Sequence, residues 1–324
     1  MKERALISKI KNRFLCQSDY LLKGIGDDSA VFADSKDFCW LISTDLLVDD
    51  VHFLRGLHDP YLLGRKSIAV NLSDLAAMGA EPRFALVSLA VPPYLLETWL
   101  DRWQDGVESM LREHDCLLIG GDTTKGSVIT INVVVIGSAR PDQVLYRSGA
   151  GIGDDIYVTG PLGSSVTGLE LLKREEQVSK YPQFTRAHLD PQPQVKTGIM
   201  LGRSGLVSAM QDISDGVATD MSHICAESEV GAVIYADKLP YDKELKGLCS
   251  SFGWNLYDTV LGGGEDYQLL FTAAPSNRKA LELLAQQQAQ TFVRIGKVTP
   301  PPVRVMLEEN GLSQDITFSG FEHN

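Results

Sequence analysis

Short apolar runs alternate with longer stretches of helical periodicity along the whole chain. Runs rich in Val, Ile, Leu and Phe at 38–43, 83–91, 116–119, 128–137 and 155–159 predict strands. Two helices stand out between them. The first opens at Asp59-Pro60, a capping acid followed by proline at the first helical position, and stops near Gly79 with Pro82 beyond. Leu62, Leu63, Ile68, Leu72, Leu75 and Ala76 form its apolar face. The second covers about 94–113, with Leu96, Trp99, Leu100, Trp103, Val107 and Leu111 at helical spacing. The second half repeats the style, with helices at 164–173, 192–201, 217–228 and 277–288 and strands at 232–235, 267–272, 292–298 and 303–307. The N-terminal stretch MKERALISKIKNRFL reads as an amphipathic helix. The segment 138–154, punctuated by Pro141, Gly149, Gly151 and Gly153, predicts a linker between units 1–145 and 146–324. The pattern gives an α/β or α+β protein in two units and does not choose between parallel and mixed sheets.

Composition narrows the class. The 324 residues carry 30 basic and 42 acidic side chains, a net charge of −12, with 44% apolar and 22% charged residues. That is an ordinary globular balance rather than a disordered or coiled-coil one. The acidic excess argues against a nucleic-acid partner, because phosphate backbones are held by basic patches. If this chain binds phosphates, a cation other than its own side chains has to help. No apolar run approaches the roughly 18 residues of a membrane span, and the N-terminal stretch lacks the apolar core of a secretory signal. No membrane partner and a cytoplasmic location are therefore expected. Cys16, Cys39, Cys116, Cys225 and Cys249 are odd in number and form no CxxC pair, so no disulfide framework is expected. Cys39 and Cys116 sit in apolar runs and read as small core residues. The chain has no GxxxxGK[ST], GxGxxG or GxSxG and no kinase HRD or DFG set.

The informative chemistry is where the acids fall. Asp27-Asp28 follows Gly24-Ile25-Gly26, and the run 39–42 leads into Ser43-Thr44-Asp45. Asn71 and Asp74 share one helix face, and the run 116–119 leads into Gly120-Gly121-Asp122. Asp212-Ile213-Ser214-Asp215-Gly216 and Gly262-Gly263-Gly264-Glu265-Asp266 complete the set. An acid beside a buried apolar run costs stability unless its charge is compensated. Carboxylates with hydroxyls, and no nearby His or Cys, make oxygen sites suited to Mg²⁺ or Mn²⁺. The residues thus predict a multi-magnesium site receiving a polyphosphate. Taken singly, Asp27, Asp49, Asp50 and Asp220 read as turns or caps, and His52 as a partly buried structural histidine.

Seven stretches then appear together in order: GIGDDSAVF (24–32), ISTDLLVDDVHF (42–53), AVNLSDLAAMGAEP (69–82), LIGGDTTKG (118–126), RSGAGIGDDIYVTG (147–160), DISDG (212–216) and GGGEDYQLLFT (262–272). On these the chain resembles the thiamine-monophosphate kinase family. Its superfamily also includes aminoimidazole ribonucleotide synthetase, selenophosphate synthetase and a hydrogenase-maturation protein. The resemblance implies two α/β domains of the aminoimidazole-ribonucleotide-synthetase-like fold. The N-terminal ATP- and Mg-binding domain pairs its sheet across a homodimer, and the C-terminal domain completes the nucleotide and substrate site. It implies transfer of a phosphoryl group from ATP to thiamine monophosphate, giving thiamine diphosphate, with several Mg²⁺ ions. Carried over by position, Asp28, Ser43, Thr44, Asp45, Asp74, Asp122, Asp212 and Asp215 match metal ligands. Asp45, Asp74 and Asp122 carry the catalysis through the metal. Gly121, Asp122, Arg147 and Ser214 match ATP contacts; His52 and Glu265 match substrate contacts, which displaces the structural reading of His52.

Two positions depart from the family pattern. Gly320-Phe321 stands where Gly-Trp or Gly-Tyr is common, so Phe321 keeps ring stacking on the substrate and loses a polar handle. Gln268 stands where Glu is expected. The rival readings are another ATP-using member, such as aminoimidazole ribonucleotide synthetase, and a catalytically silent nucleotide-binding protein. Selenophosphate synthetase is disfavoured because Cys16, in FLCQSDY, has neither an adjacent Lys nor a glycine-rich loop.

Overall fold

The alternation of short runs and helical stretches folds into two mixed sheets with helices stacked on them. The computed structural model describes residues 3–14, 18–35, 37–174 and 178–321; Cys16 lies outside the described residues. The first half holds α1 (Glu3–Arg13), β1 (Leu21–Lys23), β2 (Ala30–Ser35), β3 (Phe38–Val48), α2 (Pro60–Ala77), β4 (Glu81–Val91), α3 (Glu97–Glu113), β5 (Leu117–Lys125) and β6 (Thr130–Ala139). Its strands order as β1-β2-β3-β6-β4-β5, with only β4 and β5 parallel, as the α3 crossover between them requires. The second half holds β7 (Asp155–Val158), α4 (Ser164–Arg174), α5 (Pro182–Leu189), α6 (Val195–Ser204), β8 (Ala209–Asp212), α7 (Val217–Ser228) and β9 (Gly231–Tyr235). It continues with α8 (Leu245–Phe252), α9 (Leu256–Gly262), β10 (Leu269–Ala273), α10 (Arg278–Gln287), β11 (Val293–Thr299), β12 (Val305–Glu309) and β13 (Leu312–Asp315). This sheet orders as β13-β12-β9-β11-β7-β10-β8, parallel only between β9 and β12.

Two strands outrun their apolar runs. β3 continues to Val48 because β6 offers a ladder partner along that stretch, from Cys39 opposite Ala139 to Val48 opposite Thr130. β5 likewise follows β4 to Lys125 opposite Val91. Asp45 and Asp122 therefore sit inside strands, not at the strand ends that their flanking runs predict. The short elements β1, β2, β8, β13, α5, α8 and α9 are not marked by the sequence pattern; most are too brief to show a period.

The central helix α2 is the pivot of the molecule. Its cap is as expected: the Asp59 carboxylate accepts the Tyr61 N–H at 3.0 Å ahead of Pro60. Its burial is not. Leu63, Ile68, Leu72 and Leu75 are buried, and so are Arg65, Lys66, Ser67, Asn71 and Ser73 from the polar positions. The helix packs on β3, β4 and β6, against α3, and against α6 and β8 of the second half. Close approach to α3 needs glycine on both sides: a Cβ on Gly64 would lie 2.1 Å from the Trp103 carbonyl oxygen, and one on Gly106 would lie 1.9 Å from that of Tyr61. One apolar core accordingly runs from the first sheet through α2 to one face of the second. The other core fills the far face of the second sheet under α4, α7, α8 and α9.

The helix α1 buries none of its residues. It is tied to the second half by Lys11 Nζ on Glu227 at 2.8 Å and by the Arg4 guanidinium 4.4 Å over the Phe318 ring. Cys39 and Cys116 are buried, as are Cys225 and Cys249, and all four are free thiols. Among the described residues no helix is long and apolar enough to cross a membrane.

Candidate active site

Where α2 meets β3 and the loop after β8, three acids converge, two of them buried and Asp74 half-buried. Asp28, Asp74 and Asp212 each present a carboxylate oxygen, and these atoms lie within 4.8 Å of one another. Asp28 comes from the turn before β2, Asp74 from the last turn of α2, and Asp212 from the end of β8. The strand β3 adds Asp45, and the turn beyond β8 adds Asp215.

Neighbouring groups aim each of these acids. Ser43 Oγ donates to the Asp28 carbonyl at 2.9 Å and also bonds the Asp74 carboxylate. Ser73 Oγ donates to Asp212 at 2.6 Å. The Asn71 side-chain oxygen accepts the Asp45 backbone N–H at 2.9 Å. Asp220, buried in α7, accepts the Asp215 N–H at 3.3 Å. Arg147 Nε donates to Asp28 at 3.1 Å, so this predicted ATP contact is paired with a cage acid.

The electrostatics are those of crowded like charges. Burial, with neighbouring carboxylates, pushes Asp28 up to about 7 against the pull of Arg147. Burial and the charges of Asp28 and Asp215 push Asp45 up to about 6. Asp212 rises to about 6, by burial above all, and Asp74 and Asp220 are raised by the same causes. The Asp28 Oδ2 atom is buried without a hydrogen-bond partner. A set of oxygen-only donors, crowded and desolvated, with one orphaned oxygen, fits a hard divalent cation.

The cage opens into a cleft of about 530 Å³. Asp45, His52, Asp74, Asp212, Ser214, Asp215, Glu265 and Phe321 all line it. His52 accepts the Val48 N–H on Nδ1 at 3.1 Å, which fixes its ring. The Phe321 N–H donates to the Asp215 carbonyl at 2.9 Å, tying the C-terminal segment to the acidic loop. Glu265 carries φ +65° and is fixed by its N–H on the Ser214 carbonyl at 2.8 Å. Its neighbour Asp266 accepts N–H bonds from Gly163 at 2.6 Å and Ser165 at 3.1 Å, anchoring the glycine-rich loop to the start of α4. Gln268, where an acid is expected, accepts the Thr159 hydroxyl at 3.0 Å and has a structural partner. A second groove, about 540 Å³ beside α10 and lined by Tyr157, Arg278 and Arg294, contains none of the sequence-predicted residues.

Three predicted residues stand apart. Side chains alternate along β3, so Thr44 faces away from Ser43 and Asp45; its hydroxyl donates to the Val133 carbonyl at 2.9 Å. Gly121 and Asp122 are exposed on β5 and do not line the cleft. Asp122 pairs with Ser88, Ser88 with Asn132 and Asn132 with Leu46, so three strand spacings, roughly 14 Å, separate Asp122 from β3. Gly121 has a packing reason of its own: a Cβ there would lie 1.8 Å from the Val87 carbonyl oxygen.

Sequence reasoning missed Lys66, Ser73, His188 and Asp220. Lys66 is one helical face with Asp74, at i and i+8, which was the available signal. Asp220 was visible but, taken singly, reads as a turn or cap acid. His188 gave none.

The chain matches the AIR synthase related protein family, its N-terminal domain over residues 26–139 and its C-terminal domain over residues 151–308. It is 38% identical over 324 residues to the thiamine-monophosphate kinase of Buchnera aphidicola from Acyrthosiphon pisum, covering 99% of this chain and 98% of that one. It is 36% identical over 306 residues to that of Escherichia coli K12, covering 93% and 91%. A solved structure of AaThiL complexed with AMPPCP and TMP superposes with a TM-score of 0.83 at 32% identity, covering 97% of this chain and 96% of that one. The two-domain α/β fold expected from the motifs is thus the fold found. A fold with two mixed sheets, an acid cage between them and near full-length likeness to these relatives lead to one conclusion: the chain belongs to the thiamine-monophosphate kinase family.

Proposed function

We propose that the acidic cage holds Mg²⁺ between ATP and thiamine monophosphate, the two substrates of the family's kinase reaction, and that the product is thiamine diphosphate. The observation that carries this is the convergence of Asp28, Asp74 and Asp212 within 4.8 Å at the head of a cleft lined by Asp45, His52 and Glu265. Asp28, Asp45, Asp74, Asp212 and Asp215 would hold the metal, with Ser43 and Ser73 orienting two of them by hydrogen bond. When bound, Mg²⁺ neutralises phosphate charge and aligns the two anionic substrates for in-line transfer.

The chain's own groups do the rest. The attacking atom is a phosphate oxygen, largely ionised at neutral pH, so no general base is needed. Arg147 is placed beside the cage to meet ATP phosphates with charge-assisted donors. Ser214 sits on the loop between the cage and Glu265. His52, Glu265 and Phe321 line the same cleft as the acids and would hold the organic part of thiamine monophosphate. Phe321, 53% exposed, offers a ring face for stacking.

Asp122 acts from a second copy. Its own cage is three strands away, while β5 is an edge strand exposed on both faces, with Leu117, Leu118 and Ile119 more than half exposed. Such an edge invites pairing with another chain. This supports the homodimer and gives Asp122 and Gly121 a site to serve. The use of ATP as co-substrate supports a cytoplasmic location. The deciding experiment incubates the protein with ATP, Mg²⁺ and thiamine monophosphate, with and without chelator. Thiamine diphosphate and ADP should form in equal amounts and stop with chelator. ADP formation only with the substrate of aminoimidazole ribonucleotide synthetase, or tight ATP binding with no product, would point to the rival readings.

A further inference from the structure

Lys66 is a cation in the place where charge is hardest to keep. It is fully buried on α2, two turns from Asp74, and does not line the cleft. Its ammonium spans both oxygens of Glu265, 3.1 Å from Oε1 and 3.2 Å from Oε2. His188, 2% exposed, brings Nδ1 to 3.1 Å from Oε2. Burial and the Lys66 charge push the His188 pKa down, which favours the neutral ring, against the pull of Glu265. A carboxylate only accepts, so Nδ1–H is the donor. Despite its partial burial, Glu265 is held well below the usual carboxylate range by Lys66 and His188.

The grip is asymmetric. Oε2 receives two donors. Among the described residues Oε1 receives Lys66 alone, which leaves a lone pair on a side chain 28% exposed and lining the cleft. A buried ion pair gives little net stability over an apolar pair of the same size. The strained backbone at Glu265, φ +65°, is a conformation kept where the surroundings over-determine it. Both features make sense if the position of the carboxylate is what matters.

We propose that Lys66, with His188, is a positioning residue that fixes Glu265 with Oε1 turned to the cleft as a hydrogen-bond acceptor for an N–H group on the heterocyclic part of the substrate. The inference rests on Glu265 being a substrate contact. Because Lys66 neutralises the Glu265 charge, the pair offers a directed acceptor rather than a net negative charge. It therefore selects a donor at a defined place.

The test measures kcat and both KM values in the Mg²⁺-loaded protein for Glu265→Gln, Lys66→Met and the double variant. Glu265→Gln should raise the KM for thiamine monophosphate about tenfold, the worth of one charge-assisted hydrogen bond, and leave that for ATP within about twofold. Lys66→Met should do the same. Lys66→Met also strands a buried acid, so folding of that variant does not carry the test. The comparison of Glu265→Gln with the double variant does, because in the first the amide oxygen still accepts from the buried ammonium and the second contains neither charge. Adding Lys66→Met to Glu265→Gln should leave the KM for thiamine monophosphate within about twofold, since Lys66 then has no carboxylate to hold. If Glu265→Gln leaves that KM unchanged, the reading of Glu265 falls and Lys66 with it. If Glu265→Gln raises it and the double variant raises it a further tenfold or so, or raises the KM for ATP equally, the Lys66 inference alone is overturned.

Discussion

At the residue scale the site is made of carboxylates that no isolated acid would tolerate. Asp74 faces Asp45, Asp212 and Asp28 from a half-buried position and is raised well above the ordinary carboxylate range by desolvation and their charges. Two consequences run in opposite directions. Asp74→Asn removes an oxygen ligand that bears charge, and kcat should fall about 10³-fold, the scale of losing one group that stabilises transferring charge. The same change removes a repulsive charge, so in chelator at pH 8 the variant should melt no lower than the parent. Turnover within tenfold of the parent would remove Asp74 from the metal set. Melting well below the parent would mean that it is a structural acid. Of the short polar residues that orient the acids, Ser43 and Asn71 stand out in the sequence and Ser73 does not, but what each of them bonds is not legible there. Their partners lie 31, 139 and 26 positions away, which no local pattern registers.

At the element scale, β5 and α2 break the amphipathic rule in opposite ways. The strand β5 is apolar at Leu117, Leu118 and Ile119 yet exposed on both faces, while α2 carries Arg65, Lys66 and Asn71 yet is buried on nearly every side. Each exception fits the proposed function: the strand as an edge for pairing with a second copy, the helix as the wall of the cage. The pairing predicts complementation. Asp45→Ala and Asp122→Ala should each be inactive alone. Mixed and allowed to exchange subunits, they should recover up to about a quarter of parental activity, because half the dimers are mixed and each has one intact site. No recovery on mixing, with exchange verified, would mean that Asp122 serves its own chain. The strand, helix and capping patterns were legible because β3, β4, β6, α2 and α3 are long enough to show a period. The extension of β3 and β5 through their acids was not, because a ladder partner rather than side-chain hydrophobicity keeps a polar stretch extended.

At the scale of the whole molecule, metal, protons and stability are linked. Asp28 is raised to about 7 and Asp45 and Asp212 to about 6, above the ordinary value of 3.8. For these groups the folded state binds protons more tightly than the unfolded one. Their contribution to stability is present below pH 4, roughly, and is lost as pH rises through 6 to 7. Cations can replace the protons. Saturating Mg²⁺ should therefore raise the melting temperature by roughly 5–10 °C at pH 8 and by much less at pH 5.5. An equal shift at both values, or none at pH 8, would deny that these acids share a cation. The sequence by itself determined the two α/β units, the long elements and the inventory of acids for a hard metal, because periodicity, capping and residue chemistry are local properties. The same local reading, aided by seven ordered motifs, reached the kinase family. Only the tertiary structure decided that Asp28, Asp74 and Asp212 meet, that Thr44 turns away, that Asp122 is too far to join them within one chain, and that a lysine stands buried behind Glu265. Those outcomes depend on which face a strand presents, which edge is left open and how one central helix is packed between two sheets. They are fixed by contacts between segments distant in sequence.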